Sequence, residues 1–231
     1  STVSANTTSG FSIVSYTGNS TAGATVGHGL GSTPSMIIIK VRSTANNWGV
    51  YHKSMGATKA MYLDGSSGET TDGWLNNTAP DSSVFTLSGG NYGNTNGNTH
   101  IAYCFAEKKG FSKAFSYTGN GSTNGTFTYL GFRTAFVLIK QSSGSGTSWY
   151  LYDNKRNGIN ADSVAEGNRS LRANSSDSEN SASGYYLDIL SNGFKCRSTS
   201  SEINSSGATY VGIAFAENPL VSTAGVPCTA R

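Results

Sequence analysis

Charge is what this sequence has least of. Only 13% of its 231 residues are Asp, Glu, Lys or Arg, about half the usual share. The net charge is +3, and no run of cations exceeds a pair such as Lys155–Arg156. Gripping nucleic acid needs a basic stripe that neutralises several phosphates, so nucleic acid is excluded as a partner. No apolar run is long enough to cross a bilayer as a helix, which gives no expectation of a membrane. Cysteine is scarce too: Cys104, Cys196 and Cys228 lack any C-x-x-C spacing, and the first two lie inside apolar runs. They read as small buried hydrophobes, consistent with assembly in a reducing cytoplasm. A targeting peptide is missing as well; the chain opens on the polar "STVSANTTSG" and reads as a processed chain or a fragment of a longer one.

What fills the space is Gly (29 copies) with Ser, Thr and Asn. Ser and Asn compete for backbone hydrogen bonds and Gly carries an entropic cost, so helices are disfavoured. Short apolar runs recur among them ("MIIIKV", "IAYCFA", "FVLIK", "YVGIAFA"), and 12 Tyr and 10 Phe supply core bulk. The expectation is an ordered all-β protein with long polar loops.

The phrase "GFSIVSYTGN" at Gly10 returns as "GFSKAFSYTGN" at Gly110. Tyr16-Thr17-Gly18-Asn19 matches Tyr117-Thr118-Gly119-Asn120 at an offset of 101, and Met36–Lys40 matches Phe136–Lys140 at 100. Trp48 matches Trp149 and Tyr51 matches Tyr152, both at 101. Phe85 matches Phe194 at 109, and "IAYCFAE" from Ile101 matches "VGIAFAE" from Val211 at 110. The second copy thus gains about eight residues between Tyr152 and Phe194. The period, near 100 residues, is longer than that of ordinary solenoid repeats. Six or seven short strands per copy, separated by Gly/Asn/Ser turns, predict two tandem homologous β-sandwich repeats of jelly-roll-like form, packed closely across a joint of only Lys108 and Lys109. The expected boundaries are an N-terminal extension over 1–9, repeat 1 over 10–109, repeat 2 over 110–219 and a tail over 220–231.

Phrases found in both copies mark what the module needs to fold; residues found in one copy mark where function was added. "GHGLGSTP" (Gly27–Pro34) runs on into the strand "SMIIIK", so it reads as a turn and not as a phosphate loop. His28, His52 and His100 are scattered, with no nucleophile elbow or metal-binding pair, and no catalytic residue is assigned. Glu107 and Glu217 recur in both copies and read as scaffold. Asp64, Glu69, Asp72 and Asp81 read as solvated loop carboxylates. "DGSSGE" and "NSSDSEN" lack EF-hand spacing, so neither a metal nor a cofactor is expected. Lys40 and Lys140, at the ends of the most apolar strands, read as guards against edge-to-edge aggregation.

Aromatics give the contrast that matters. Trp48 and Trp149 recur and read as core anchors. Trp74 in "TDGWLNNTAP" and Tyr92 in "SGGNYGNTNGNTH" have no counterpart. An aromatic ring flanked by amides and carboxylates suits a sugar, the ring covering its apolar face and the polar groups meeting its hydroxyls. The candidate glycan-binding set is therefore Asp72, Trp74, Asn76, Asn91, Tyr92 and Asn94.

The phrases "GFSIVSYTGN…TVGHGLGSTPSMIIIK…WGVYHKS", "SYTGNGSTNG", "LSNGFKCRST" and "ATYVGIAFAENP" resemble a repeat domain of tailed-phage virion proteins, especially of marine and cyanobacterial phages. The similarity runs from about Gly10 to Pro219. In those proteins the domain commonly lies toward the C-terminus of fibre-like chains. The resemblance implies a non-enzymatic virion-surface protein, assembled in the host cytoplasm. It would form a homo-oligomer, with a trimer preferred, contacting other virion proteins and host cell-surface polysaccharide as a tail-fibre or receptor-binding module. A capsid decoration protein is the alternative, and a polysaccharide-degrading enzyme comes after it. The family supplies no catalytic residues to carry over.

Overall fold

The structure, a computed structural model, describes residues 1–90, 92–144, 146–156, 160, 169–179 and 184–218. Among these there are strands and no helices: β1 (Thr2–Asn6), β2 (Phe11–Thr17), β3 (Ala24–Gly27), β4 (Met36–Val41), β5 (Gly49–His52), β6 (Lys59–Tyr62), β7 (Thr70–Thr71), β8 (Val84–Leu87) and β9 (Thr99–Phe105), then β10 (Ser112–Thr118), β11 (Phe127–Tyr129), β12 (Thr134–Gln141), β13 (Tyr150–Asp153), β14 (Leu171–Arg172), β15 (Leu187–Leu190), β16 (Gly193–Cys196) and β17 (Thr209–Ala216). The architecture is all-β and sandwich-like, and the chain divides into two compact units between Lys108 and Lys109.

In the first unit a seven-stranded sheet, β1-β2-β9-β4-β5-β6-β7, faces the pair β3-β8. Val14, Tyr16, Ile37, Ile39, Ala102 and Cys104 from the large sheet close on Val26, Phe85 and Leu87 from the small one. On β9 the bulkier Ile101, Tyr103 and Phe105 turn away from this core, and Ala102 and Cys104 turn in. Tyr16 and Phe85, whose rings meet edge-on at 6.2 Å, supply much of the volume that faces Ala102 and Cys104. The segment expected as an N-terminal extension contains β1, paired to β2 from Thr2↔Ser15 to Asn6↔Phe11.

The second unit has the sheet β10-β17-β12-β13-β14 and the smaller sheet β11-β16-β15. Its order repeats β2-β9-β4-β5-β6, and so does its register. Tyr16 lies opposite His100, and Tyr117 opposite Tyr210. Ile37 lies opposite Tyr51, and Val137 opposite Tyr152. Val50 pairs with Met61, 11 positions on, whereas Leu151 pairs with Leu171, 20 positions on. The connection between β13 and β14 is thus nine residues longer than that between β5 and β6, and this is where the extra length lies. The expected tail over 220–231, with Cys228, lies outside the described residues.

Two readings need correction. β4 and β12 are interior strands, so Lys40 and Lys140 guard no edge. Lys40 Nζ donates to the Asn46 carbonyl and lies 5.7 Å from the Trp48 ring centre. Lys140 is wholly buried and donates to Thr147 O (2.9 Å) and Oγ1 (2.8 Å). Burial pulls its pKa down to about 8, with the Glu202 carboxylate acting in the opposite sense. Of the two recurring tryptophans, Trp149 is fully buried and Trp48 only partly, stacked on Tyr103.

Candidate functional site

Of the residues expected to hold a sugar, Trp74 and Asn94 are buried, and Asp72, Asn76 and Tyr92 are partly buried. Asp72 shapes its loop, accepting the Trp74 amide on Oδ1 (3.1 Å) and the Tyr62 hydroxyl on Oδ2 (3.0 Å). Asn76 follows in the left-handed region (φ 54). The turn drives Trp74 into the core, where it is 0% exposed. Its ring lies 6.0 Å from that of Tyr92, and Tyr92 lies 5.7 Å from Tyr62. A sugar cannot stack on a ring with no open face. Trp74 is therefore a core residue and not a platform, with the partly buried Tyr92 packed against the same core, and Asn91 lies outside the described residues.

Asn94 is also a structural residue. Its Oδ1 accepts the Asn19 amide (3.0 Å), and its Nδ2 donates to Thr21 O (3.0 Å) and Ser88 O (2.8 Å). In the second unit Asn204 Oδ1 accepts the Asn120 amide (3.0 Å), and its Nδ2 donates to Ser122 O (2.8 Å) and Ser198 O (2.7 Å). One position earlier, the Tyr16 hydroxyl donates to Gly93 O and that of Tyr117 to Ile203 O, each at 2.6 Å. The offset from Asn94 to Asn204 is 110, the same as for "IAYCFAE", so this pairing was available in the sequence.

Tyr92 has no sequence counterpart, yet its ring has a spatial one. A Cβ placed on Gly49 would come within 2.3 Å of Tyr92 Cε2. At the matching register position of β13 stands Tyr150, fully buried. Tyr62 packs against Tyr92 at 5.7 Å, and Arg172, at the matching position of β14, lies 5.5 Å from the Tyr150 ring centre. Each unit thus fills the same space with a tyrosine supplied from a different point of the chain.

The histidines serve turns and core. His28 Nε2 faces Asp81 O (3.2 Å) while Nδ1 accepts the Leu30 amide (3.3 Å), and His52 Nδ1 accepts the Ser54 amide (3.2 Å). His100 is stacked on Tyr16 at 5.0 Å, as Tyr210 is on Tyr117 at 4.9 Å. Burial holds the pKa of both His28 and His100 below the ordinary value; the Asp81 backbone opposes this for His28, and the Asn98 and Tyr92 backbones for His100. Below the free imidazole pKa, about 6.5, the unfolded chain takes up protons that the folded chain refuses. Stability is therefore expected to be lost as pH falls through about 6.5. Replacing His100 with tyrosine, the residue of the second unit, should shallow the slope of denaturation midpoint against pH between about 6.5 and 5. An unchanged slope would remove His100 from this account.

The remaining candidate groups are similarly engaged. Cys104 and Cys196 are free and buried, and burial raises their thiols to about 12 and about 11. Glu107 pairs with Lys53 and Glu217 with Arg133, each at 2.6 Å. Asp64 accepts the Trp48 amide (3.0 Å), as Asn174 accepts that of Trp149 (2.9 Å).

The open surface lies elsewhere, on β11. Thr128 points inward, and Phe127 and Tyr129 on either side of it point out, 43% and 60% exposed. Phe127 lies opposite Lys195, which lies opposite Asp188; Tyr129 lies opposite Gly193. Lys195 Nζ donates to Asn124 Oδ1 (2.6 Å), and Lys113 Nζ sits 5.3 Å from the Tyr129 ring centre, donating to Tyr129 O (3.0 Å). Matched through the pairing of β3 with β8, the first unit has Thr25, Gly27, Val84 and Thr86 in place of Phe127, Tyr129, Gly193 and Lys195. The outward aromatics therefore belong to one unit alone. In "TFTYL" the alternation was visible, and comparison with "ATVG" would have singled it out.

An all-β chain with two sandwich-like units, structurally committed histidines and an aromatic outer strand is the class that fold and site define. Its sequence matches, over residues 1–219, the pattern of a domain of unknown function, DUF7483, and the chain belongs to that family. No curated protein and no solved structure matches it.

Proposed function

We propose that this chain is a non-enzymatic adhesion module, built from two descendants of one ancestral β-sandwich, which contacts carbohydrate through the outward face of β11. The common strand order, the common register and the Asn94/Asn204 pins support the duplication. The observation that carries the adhesion reading is the exposed pair Phe127 and Tyr129, present in the second unit only. Large apolar rings side by side on a strand are costly to leave in water unless something covers them. Two flat rings with amide and ammonium groups around them suit the apolar faces and hydroxyls of a sugar chain. The resemblance to phage virion repeats supplies the setting, a tail-fibre or receptor-binding module on the particle surface with host polysaccharide as its target.

The test is a screen of immobilised bacterial surface polysaccharides with the parent chain and its Tyr129→Ala variant. The parent is expected to bind. The variant, whose ring leaves no cavity in the core, is expected to keep its melting temperature and lose roughly tenfold or more in affinity, the order of one well-stacked aromatic contact. A parent chain that retains no glycan ends the adhesion reading.

A further inference from the structure

The charges around β11 narrow the ligand, on the premise that the adhesion reading above holds. We propose that this face takes an acidic polysaccharide, with a sugar lying on Tyr129 and Phe127 and its carboxylate or sulfate drawn to Lys113 and Lys195.

Among the described residues, Lys113, Lys195, Arg197 and Asp188 lie at this face. Asp188 and Arg197 form an ion pair at 3.3 Å and offset each other. Lys113 and Lys195 each donate only to a neutral oxygen, Tyr129 O and Asn124 Oδ1, and among the described residues neither has a carboxylate within ion-pair distance. Two cations therefore flank two exposed rings, and Asp188, the cross-strand partner of Lys195, is engaged by Arg197. The matching positions of the first unit, Ser12 for Lys113 and Thr86 for Lys195, carry no charge, so the cations were added together with the rings.

The geometry suits an acidic sugar in particular. Lys195 is the direct cross-strand neighbour of Phe127, and such partners share one face of the sheet. Lys113 Nζ lies over the Tyr129 ring, 5.3 Å from its centre. A uronate or sulfate ester carries its anion on the rim of a ring whose faces are partly apolar. A ring lying flat on an aromatic plate thus presents the anion sideways, toward a lysine beside the plate. Opposite Tyr129 stands Gly193, where any Cβ would come within 2.0 Å of Thr128 O. No side chain therefore stands across from Tyr129 on β16. Ammonium-to-carboxylate contacts of this kind are charge-assisted, and salt screens them.

The experiment measures the affinity of the parent chain for polygalacturonate and for a sulfated galactan, each beside its charge-masked form (the full methyl ester and the desulfated polymer), at low and high salt. The acidic form of at least one polymer is expected to bind about tenfold or more tightly than its masked form, and to lose most of that advantage in about 1 M salt. Lys113→Gln and Lys195→Gln should each weaken the acidic form by about threefold to tenfold and leave the masked form unchanged. Tyr129→Ala should weaken both forms. Perturbation of the Tyr129 ring resonances of the parent by the acidic polymer checks the location without any substitution. Masked polymers bound as tightly as acidic ones overturn the charge assignment and leave adhesion standing. Binding to neither form of either polymer also overturns this inference, and the broader polysaccharide screen then decides adhesion separately. Self-association that Tyr129→Ala disperses overturns both, since the face would then belong to a second copy of this chain.

Discussion

Replacing Tyr92 with alanine is expected to cost about 3–5 kcal/mol of stability, the usual loss for a large ring cut from a core. Adding Gly49→Tyr to that variant is expected to return most of it. The ring of Tyr92 lies over Gly49, in the space that Tyr150 fills from the matching strand position of the second unit. Gly49→Tyr alone places a Cβ 2.3 Å from Tyr92 Cε2, and overpacking of this kind costs about 1–3 kcal/mol or more. Together the two changes move the ring from one attachment point to the other, so the double variant should be more stable than either single one. A coupling of about 3 kcal/mol, at the top of the range for residues in contact, is the expected reading of denaturant midpoints. Additive losses would show that the two tyrosines do not share a site, and with that the matching of the two units at this end of the fold would fail. If Gly49→Tyr alone does not fold, recovery of a cooperative transition in the double variant gives the same answer.

The strands that carry both an apolar pattern and flanking turns were legible in the sequence: β2, β4, β9, β12 and β17 all lie where the repeated phrases put them. β1 was not, because its five residues are exposed along their length; backbone pairing to β2 holds it, and an inward/outward alternation never arises. β14 was missed because two residues carry no period. Trp74 and Tyr92 were misread for a different reason. A tryptophan amid Gly, Asn and Asp looks like surface, but this loop puts Trp74 and Leu75 inside while its polar neighbours are less buried. Asp72 makes this possible by taking up both the Trp74 amide and the Tyr62 hydroxyl. Comparison of the two units by residue identity also obscured Tyr92, since the second unit supplies a ring at the matching position from β13. Residue identity is compared position by position, whereas packing needs only volume in the right place. The same comparison, applied to outward positions of short strands, leads directly to Phe127 and Tyr129.

Asn94→Asp and Asn204→Asp are expected to be damaging in parallel, each costing about 3–5 kcal/mol at pH 7, as when a buried polar network is left with an uncompensated charge. The two side chains replace one nitrogen donor by oxygen at 2.8 and 3.0 Å from two carbonyls in the first unit, and at 2.7 and 2.8 Å in the second. Both residues are almost wholly buried, so water cannot take over the lost bonds. A carboxyl placed there would be held protonated, its pKa raised by burial and by the facing carbonyl oxygens. Its folded pKa would exceed the unfolded value of about 3.9, so the penalty grows as pH rises through that value and is smallest below it. Each variant should therefore lie closer to the parent at pH 4 than at pH 7, apart from the histidine contribution common to all three. Asn94→Ala and Asn204→Ala remove the same bonds without adding charge, and should show a loss of about 2–4 kcal/mol with no such pH dependence. Denaturant midpoints at the two pH values measure this directly. An Asn94→Asp variant as stable as the parent, with reduced glycan binding, would return Asn94 to the ligand surface where the sequence alone had placed it. Equal losses at 94 and 204 would fix both asparagines as the pins that tie the "YTGN" turn to the segment leaving β8 in one unit and β16 in the other.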